Sequence, residues 1–411
     1  MKKVVIVNAY GRSNRGDSVL LDECVQEVKK IGDVSISVSL FDKSNMSPLY
    51  DEITLLDRVC NPVTNSRLLN LLYKLWGLIF VSLYLLTGLN FLLNFISKKQ
   101  KETIKAIMDA DYVISSPGGY IHDTNFAYIV ALLHIALANK SKAISILGPQ
   151  SYGPLNSYFG RKITKKVLNK ADAICCRESY SYDFLFSCGV DSQLLYKTGD
   201  SAFWNFEVDY QHYENDILLL GLKPNEEYFG ITVVDWSFPN VPNPSELKER
   251  YIETIRFLIE GVYTKFKIRT VIFNQVKDDL EIIPSLINGL ENVVVVDRLE
   301  KEPNRLRALI GKSKIFLGTR FHSCIFSLMS STPTRAIAYL PKTEYILKDL
   351  GLQDRQVSIN DLNKEMLLDQ ILYDFENVDS QSNVICNAVL NYQKSNKRLF
   401  DVIKLKLEKN K

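Results

Sequence analysis

Histidine is scarce in this chain, with four residues in 411, and none of the seven cysteines falls in a CxxC pair. That spacing supplies neither a zinc knuckle nor a dithiol redox site. Cys24, Cys60, Cys175, Cys176, Cys188, Cys324 and Cys386 therefore read as reduced, mostly buried thiols. Excess charge is lacking too: 50 basic and 47 acidic residues are interspersed and leave a net +3, so no overall field recruits nucleic acid. The opening "MKKVVIVNAYG" holds too few apolar residues before its first turn for a signal-peptide core, and a cytoplasmic protein is expected. Internal repeats and low-complexity tracts are missing as well.

What is present is enough apolar material, 46% of the chain, to fill two cores of ordinary size. In the first half "KVVIVNAYG", "VSISVSLF", "YVISSPGG", "KAISILGPQ" and "DAICCRES" read as strands separated by helix-length segments. After a polar connector around 209–227, five more such runs follow: "YFGITVVDW", "TVIFNQ", "NVVVVDR", "KIFLGTRFH" and "TPTRAIAY". Alternation of this kind implies α/β domains with parallel sheets, whose ligands sit at the carboxyl ends of the strands. The expected organisation is a first domain over 1–208, a second over 228–358, and a helical segment over 359–411 that packs back on the first.

One stretch departs from the rhythm. Residues 75–96, "LWGLIFVSLYLLTGLNFLLNFI", carry no charge and are flanked by Lys74 on one side and Lys98, Lys99 and Lys101 on the other. The length matches a spanning helix of about 20 residues. Spanning would place strands of one sheet on opposite sides of a bilayer, so an apolar helical insertion over 68–97, lying at a membrane interface or buried, is expected instead. The tail 394–411, with seven basic and two acidic residues, reads as a solvated, frayed end.

Four polar clusters stand at strand ends. Asn14, Gly16 and Asp17 lie in "NAYGRSNRGDSVLL", a loop that offers backbone N–H groups and a helix start near Asp17 or Ser18 to a ligand; a tight turn explains the glycines equally well. In "SSPGGYIHD", Gly118 and Gly119 permit close approach of the backbone, and His122 and Asp123 supply titrating groups; the alternative is a Pro-Gly turn with a surface histidine. Arg177 in "CCRESYSYDFL" offers a fork for a carboxylate or phosphate, or a surface ion pair with Glu178 or Asp183. Asp200 in "KTGDSAF" holds a basic group or simply ends a strand. In "IFLGTRFHSCIFSL", Arg320 and His322 stand at the mouth of a helix, where an anion, a guanidinium fork and a proton donor can meet. Both are expected to face a central cleft between the domains.

In this order the pieces resemble the polysaccharide pyruvyl transferase family. The matching elements are "YGRSNRGDSVLL" for a G..N.GD pattern, "PGGY", "RESYS" for R-x-S, "TGDSAF" for D-x-A-F, and "GTRFHSCIFSL" followed by Pro333 for G-x-R-x-H-x-x-I. Tyr120 stands where a third glycine is common, and Ser201 where proline often follows the aspartate, which affects the expected shape of the acceptor side.

The resemblance implies two Rossmann-like halves of the glycosyltransferase-B type. It also implies transfer of the enolpyruvyl carbons of phosphoenolpyruvate to a saccharide, as a cyclic ketal with release of phosphate. On it, Arg320 and His322 match the active-site motif and Arg177 the donor-holding arginine. The residue chemistry agrees: a doubly anionic donor needs two cations, for which Arg177 and Arg320 are the expected pair, and its methylene carbon needs an acid, for which His322 is expected. His122 or Asp123 would then deprotonate the sugar hydroxyl. No metal or cofactor is expected beyond phosphoenolpyruvate as co-substrate. A lipid-linked acceptor would account for the apolar segment, which is expected to make peripheral contact with the inner face of the membrane. A nucleotide-sugar glycosyltransferase and a non-catalytic scaffold of an envelope-polymer complex are the alternatives.

Overall fold

The computed structural model describes residues 1–11, 15–41, 52–60, 66–125, 127–204, 210, 212–239, 241–296 and 303–409. Asn14 lies outside them. By compactness the chain divides into a unit made of Met1–Ser13, Asp17–Trp204 and Asn396–Lys411, and a second made of Asn14–Gly16 and Asn205–Ser395.

In the first unit, the chain runs β1 (Lys2–Ala9), α1 (Arg15–Lys29), β2 (Val34–Leu40), β3 (Thr54–Asp57), α2 (Arg67–Thr87), α3 (Lys98–Met108), β4 (Tyr112–Ser115), β5 (Gly118–Ile121), α4 (Ala127–Lys140), β6 (Ile144–Tyr152), α5 (Tyr158–Leu168), β7 (Ala173–Cys176), α6 (Ser179–Ser187) and β8 (Leu195–Lys197). The strands form one parallel sheet in the order β3-β2-β1-β4-β6-β7-β8, with β5 continuing alongside β6 beyond β4. The order reverses between β1 and β4, so their carboxyl ends frame a crevice.

The second unit repeats the plan. It runs α7 (Tyr213–Leu219), β9 (Tyr228–Thr232), α8 (Pro244–Phe266), β10 (Arg269–Phe273), α9 (Ile283–Ile287), β11 (Val293–Val296), α10 (Pro303–Gly311), β12 (Ile315–Gly318), α11 (Phe321–Met329), β13 (Thr334–Ala338), α12 (Pro341–Asp349), β14 (Gln356–Ser358), α13 (Lys364–Glu376) and α14 (Val378–Ser395). Its parallel sheet has the order β11-β10-β9-β12-β13-β14, with the reversal between β9 and β12. Five strands were legible in sequence here; β14, three residues long, lacks the apolar run that marks the others.

Burial on both faces explains why the central strands are continuous Val, Ile and Phe runs, while β2, VSISVSL, alternates. In the first sheet, one face packs on α1 through Leu21, Val25 and Val28, and the other on α2, α3 and α4 through Val81, Ile104 and Leu137. The last helix, α15 (Leu399–Lys409), joins the α1 side: Leu399, Val402 and Ile403 are buried in the same core, and Arg398 reaches the buried Glu27. The tail is thus docked, not frayed, because its three apolar residues fall on one helical face. α13 and α14 belong to the second unit.

The apolar insertion expected over 68–97 opens with α2 at Arg67. Ser66 caps α2 by accepting from the Leu69 N–H, and Gly88 closes it in the left-handed region at φ 76°. A short 3₁₀ turn over Asn90–Phe95 then doubles back: Trp76 Nε1 donates to the Phe95 carbonyl at 2.8 Å, and the Phe80 and Phe95 rings stack at 4.7 Å. Because β3 before α2 and β4 after it lie in the same sheet, α2 leaves and returns to one side and does not cross a bilayer.

Candidate functional site

The second sheet's reversal point is built by β9 and β12. Gly318 ends β12 without a side chain, and a Cβ there would come 2.3 Å from Cys324 Sγ, so only glycine lets the strand turn directly into α11. The turn is fixed by Thr232 at the end of β9. Its Oγ1 accepts from the N–H groups of Thr319 (3.1 Å) and Arg320 (3.3 Å) and lies 2.7 Å from Ser323 Oγ. Ser323 Oγ in turn donates to the Arg320 carbonyl at 2.6 Å. The Thr232 hydroxyl proton is thereby directed at Ser323, and the mouth of α11 is pinned to β9. Below it, the buried Tyr251 hydroxyl accepts from the Val234 N–H and meets Thr319 Oγ1, each at 3.2 Å; burial raises its pKa to about 12, so it stays neutral.

Arg320 caps α11 and is held from two sides. Nε donates to Asp279 Oδ2 at 2.8 Å, Nη2 donates to Asp279 Oδ1, and Nη1 donates to the Tyr339 hydroxyl at 3.2 Å. Three of the five guanidinium N–H groups are committed in this way. Burial lowers the Arg320 pKa, but the bonds to Asp279 outweigh it and keep the value above the ordinary one, so the cation is permanent. Trp236, after β9, sets its ring edge against Tyr339 at 5.0 Å and backs this arrangement. His322, one turn-start further on, is 7% exposed and lies edge-on to Phe321 at 5.1 Å. Gly16 groups with this unit, and a Cβ on it would fall 2.0 Å from His322 Nδ1. The glycine is therefore required by the imidazole. α1 in fact starts at Arg15, before the expected position near Asp17.

At the first sheet's reversal point the polar groups chiefly hold one another. His134 is fully buried and its pKa is lowered to about 3, by burial first and the Arg58 charge second. Its Nε2 accepts from the Val59 N–H at 3.1 Å, so Nδ1 carries the proton and donates to Asn8 Oδ1 at 2.8 Å. Asn8, at φ 61°, donates onward to Ser115 Oγ, which Gln150 also reaches at 2.9 Å. An aromatic cluster stands at these strand ends, with Tyr120 buried and Tyr10 and Phe41 partly exposed. Tyr10 stacks on Phe41 at 4.7 Å and tilts against Tyr120 at 5.0 Å, while Arg58 Cζ lies 4.7 Å from the Phe41 centroid. Tyr120, the residue in place of a third glycine, donates its hydroxyl to the Pro117 carbonyl and lies close enough to exclude a Cβ at Gly118, whose φ is 152°. Gly119 is exposed, and a Cβ there would meet only Ser151 at ordinary distance.

Arg177 differs from the open fork expected. It is 4% exposed, with Nε 3.3 Å from Glu178 Oε2, Nη1 3.3 Å from Asp200 Oδ2, and Nη2 donating to Ser151 Oγ. Two carboxylates and a serine hydroxyl thus close around the guanidinium, and the ion pair with Glu178 is one of the alternatives expected for it. Asp200 also caps the turn after β8 by accepting from the Ala202 N–H at 2.8 Å. Asp123 is likewise engaged: Oδ2 accepts from the Ser157 N–H at 2.7 Å. Burial raises its pKa, but backbone bonds from Ser157 and Asn156 outweigh this and hold the carboxyl below its usual value, which makes it a poor base. His122, half-buried, has its pKa lowered by burial against the opposing charge of Asp123, and Nδ1 lies 2.6 Å from Thr124 Oγ1.

Several residues at these strand ends were not singled out from sequence. Asp279 and Tyr339 lie 41 and 19 positions from Arg320, and no local spacing links them. Gln275, 5% exposed after β10, keeps an Nε2 with no hydrogen-bond partner among the described residues. Lys342 opens α12 beside α11, its Nζ 5.1 Å from the Phe321 centroid.

Known proteins bear on this arrangement at two levels. Solved structures share the fold over the whole chain at low identity. A UDP-GlcNAc 2-epimerase from Neisseria meningitidis matches with TM-score 0.63 and 12% identity, covering 100% of both chains. Anabaena Alr3699/HepE, solved with UDP and glucose, matches with TM-score 0.60 and 12% identity over 99% of this chain and 98% of that one. These likenesses show a glycosyltransferase-B-type fold, two parallel-sheet α/β domains with one apolar helix in the first. In sequence, the amylovoran biosynthesis protein AmsJ of Erwinia amylovora is 22% identical over 405 residues, 92% of this chain and 94% of that protein. The profile of one family covers residues 14–341, from the loop before α1 to the start of α12, and with it the Gly318-x-Arg320-x-His322 turn: the chain belongs to the polysaccharide pyruvyl transferase family.

Proposed function

We propose that this protein transfers the enolpyruvyl group of phosphoenolpyruvate to two hydroxyls of a saccharide in the synthesis of an exported polysaccharide. The observation that carries the reading is the placement of Arg320 and His322, within the family's match, at the helix mouth of a sheet reversal point. AmsJ, named for amylovoran biosynthesis, supports a polysaccharide setting.

The donor's anionic groups would meet the α11 N-terminus and the two N–H groups of Arg320 not committed to Asp279 and Tyr339. Lys342 replaces Arg177 as the second cation. His322 gives a proton to the methylene carbon, and one sugar hydroxyl adds to C2. Phosphate then leaves with the C–O electron pair, and the second hydroxyl closes the ketal. One hydroxyl proton returns to His322 and the other leaves with phosphate, so the imidazole is regenerated. The partly exposed rings of Tyr10 and Phe41 suit the apolar faces of a pyranose.

The test is phosphate release from phosphoenolpyruvate with a panel of saccharides, with the ketal product identified by mass spectrometry. Saccharide-dependent phosphate release with a ketal product is expected. Thermal stabilisation by UDP-sugars and none by phosphoenolpyruvate would favour glycosyl transfer on the same fold.

A further inference from the structure

α2 presents an apolar stripe that nothing in the chain covers among the described residues. Leu68, Leu72, Leu75, Ile79, Leu83 and Leu86 recur at helical spacing and are all 39% or more exposed. The stripe runs the length of the helix, about 30 Å for 20 residues. The opposite face is not available, since Val81 and Tyr84 are buried in the first unit's core. Trp76 and Phe95, each about half exposed, flank the stripe, with the indole N–H already satisfied. An exposed apolar surface of this extent marks an interaction site.

The surrounding charge identifies the occupant. From Arg67 to Lys101 the chain has no Asp or Glu, while Arg67, Lys74, Lys98, Lys99 and Lys101 lie in that interval; Lys99 is paired with Asp57 and Glu102 follows Lys101. Lys98 and Lys101, after the 3₁₀ turn, are exposed, and Lys140 at the end of α4 reaches the Leu85 carbonyl at the far end of α2. An apolar stripe with interfacial aromatic rings and an excess of cations around it is complementary to an anionic bilayer surface. A second copy of the chain would set the same cations against one another. We infer that α2 lies in the plane of an anionic membrane, inserting the Leu68 to Leu86 stripe among the acyl chains while Lys98, Lys101 and Lys140 meet lipid phosphates. The binding belongs to α2 alone and holds whatever reaction the second unit performs.

The experiment is flotation of the full-length protein with vesicles of phosphatidylcholine alone and with added phosphatidylglycerol. The protein is expected to float with the anionic vesicles and far less with the neutral ones. Leu72→Glu with Ile79→Glu, at positions already more than half exposed, should abolish flotation while the melting temperature is retained. Lys98→Gln and Lys101→Gln should each weaken anionic binding by roughly fivefold. Three results would overturn the inference: no flotation with either vesicle, equal binding to neutral lipid, or a dimer in solution that the double glutamate variant dissociates. The last would assign the stripe to a second copy.

Discussion

Arg177 and Arg320 occupy equivalent places, each just after a strand and at the mouth of a helix, yet their surroundings assign them opposite work. Arg177 is sealed at 4% exposure between Glu178 and Asp200. Arg320 keeps 19% of its side chain exposed and shares its charge with one carboxylate, Asp279, and one phenol, Tyr339. The first guanidinium is closed in by two carboxylates, the second by one, with an outward edge of N–H groups beside a helix N-terminus. A guanidinium in a strand-end motif is thus not by itself an anion site; the number of carboxylates the fold closes around it decides.

Removing each cation should separate the two roles. Arg177→Met leaves two buried carboxylates uncompensated and is expected to cost about 3–5 kcal/mol in denaturant stability. Should that variant fail to accumulate, Arg177→Lys, which keeps the charge, should fold with stability lowered but donor affinity unchanged. Arg320→Lys should behave the other way, weakening phosphoenolpyruvate binding roughly tenfold to a hundredfold while the melting temperature shifts little, because one ammonium cannot serve Asp279 and a ligand together. A large stability loss in the Arg320 variant with intact donor affinity would reverse the comparison. Gly16→Ala should lower turnover by roughly tenfold, since its Cβ would displace the His322 ring, and a circular dichroism melt should be nearly unchanged.

The last prediction concerns pH. The buried His134 has a folded pKa of about 3 against 6.5 in the unfolded chain, so the unfolded state binds the extra proton between those values. Its contribution is fully present above about pH 6.5 and is lost as pH falls towards 3. The slope is about 1.4 kcal/mol per pH unit. Chemical denaturation at several pH values should show a shallower acid slope in His134→Leu than in the parent chain.

The sheets were legible because strands buried on both faces are continuous apolar runs, and the turn at Gly318 because glycine, arginine and histidine there meet local backbone needs. Short β3, β5, β8 and β14 carry too few apolar residues to register. Asp279 and Tyr339 were invisible for another reason: ion-pair partners brought together by parallel topology leave no trace in local spacing. The start of α2 falls within one residue of the insertion expected over 68–97, with Ser66 and Gly88 marking its ends. The same blindness to tertiary partners made Arg177 look open when Asp200, 23 positions on by their numbers, closes it.

The most direct measurement pairs phosphoenolpyruvate affinity with turnover in His322→Gln. Donor affinity close to that of the parent chain, with ketal formation slowed by roughly 10²–10⁴-fold, is the predicted result for an imidazole that delivers the proton at the α11 mouth. Ketal formation at near-parent rates in that variant would contradict it.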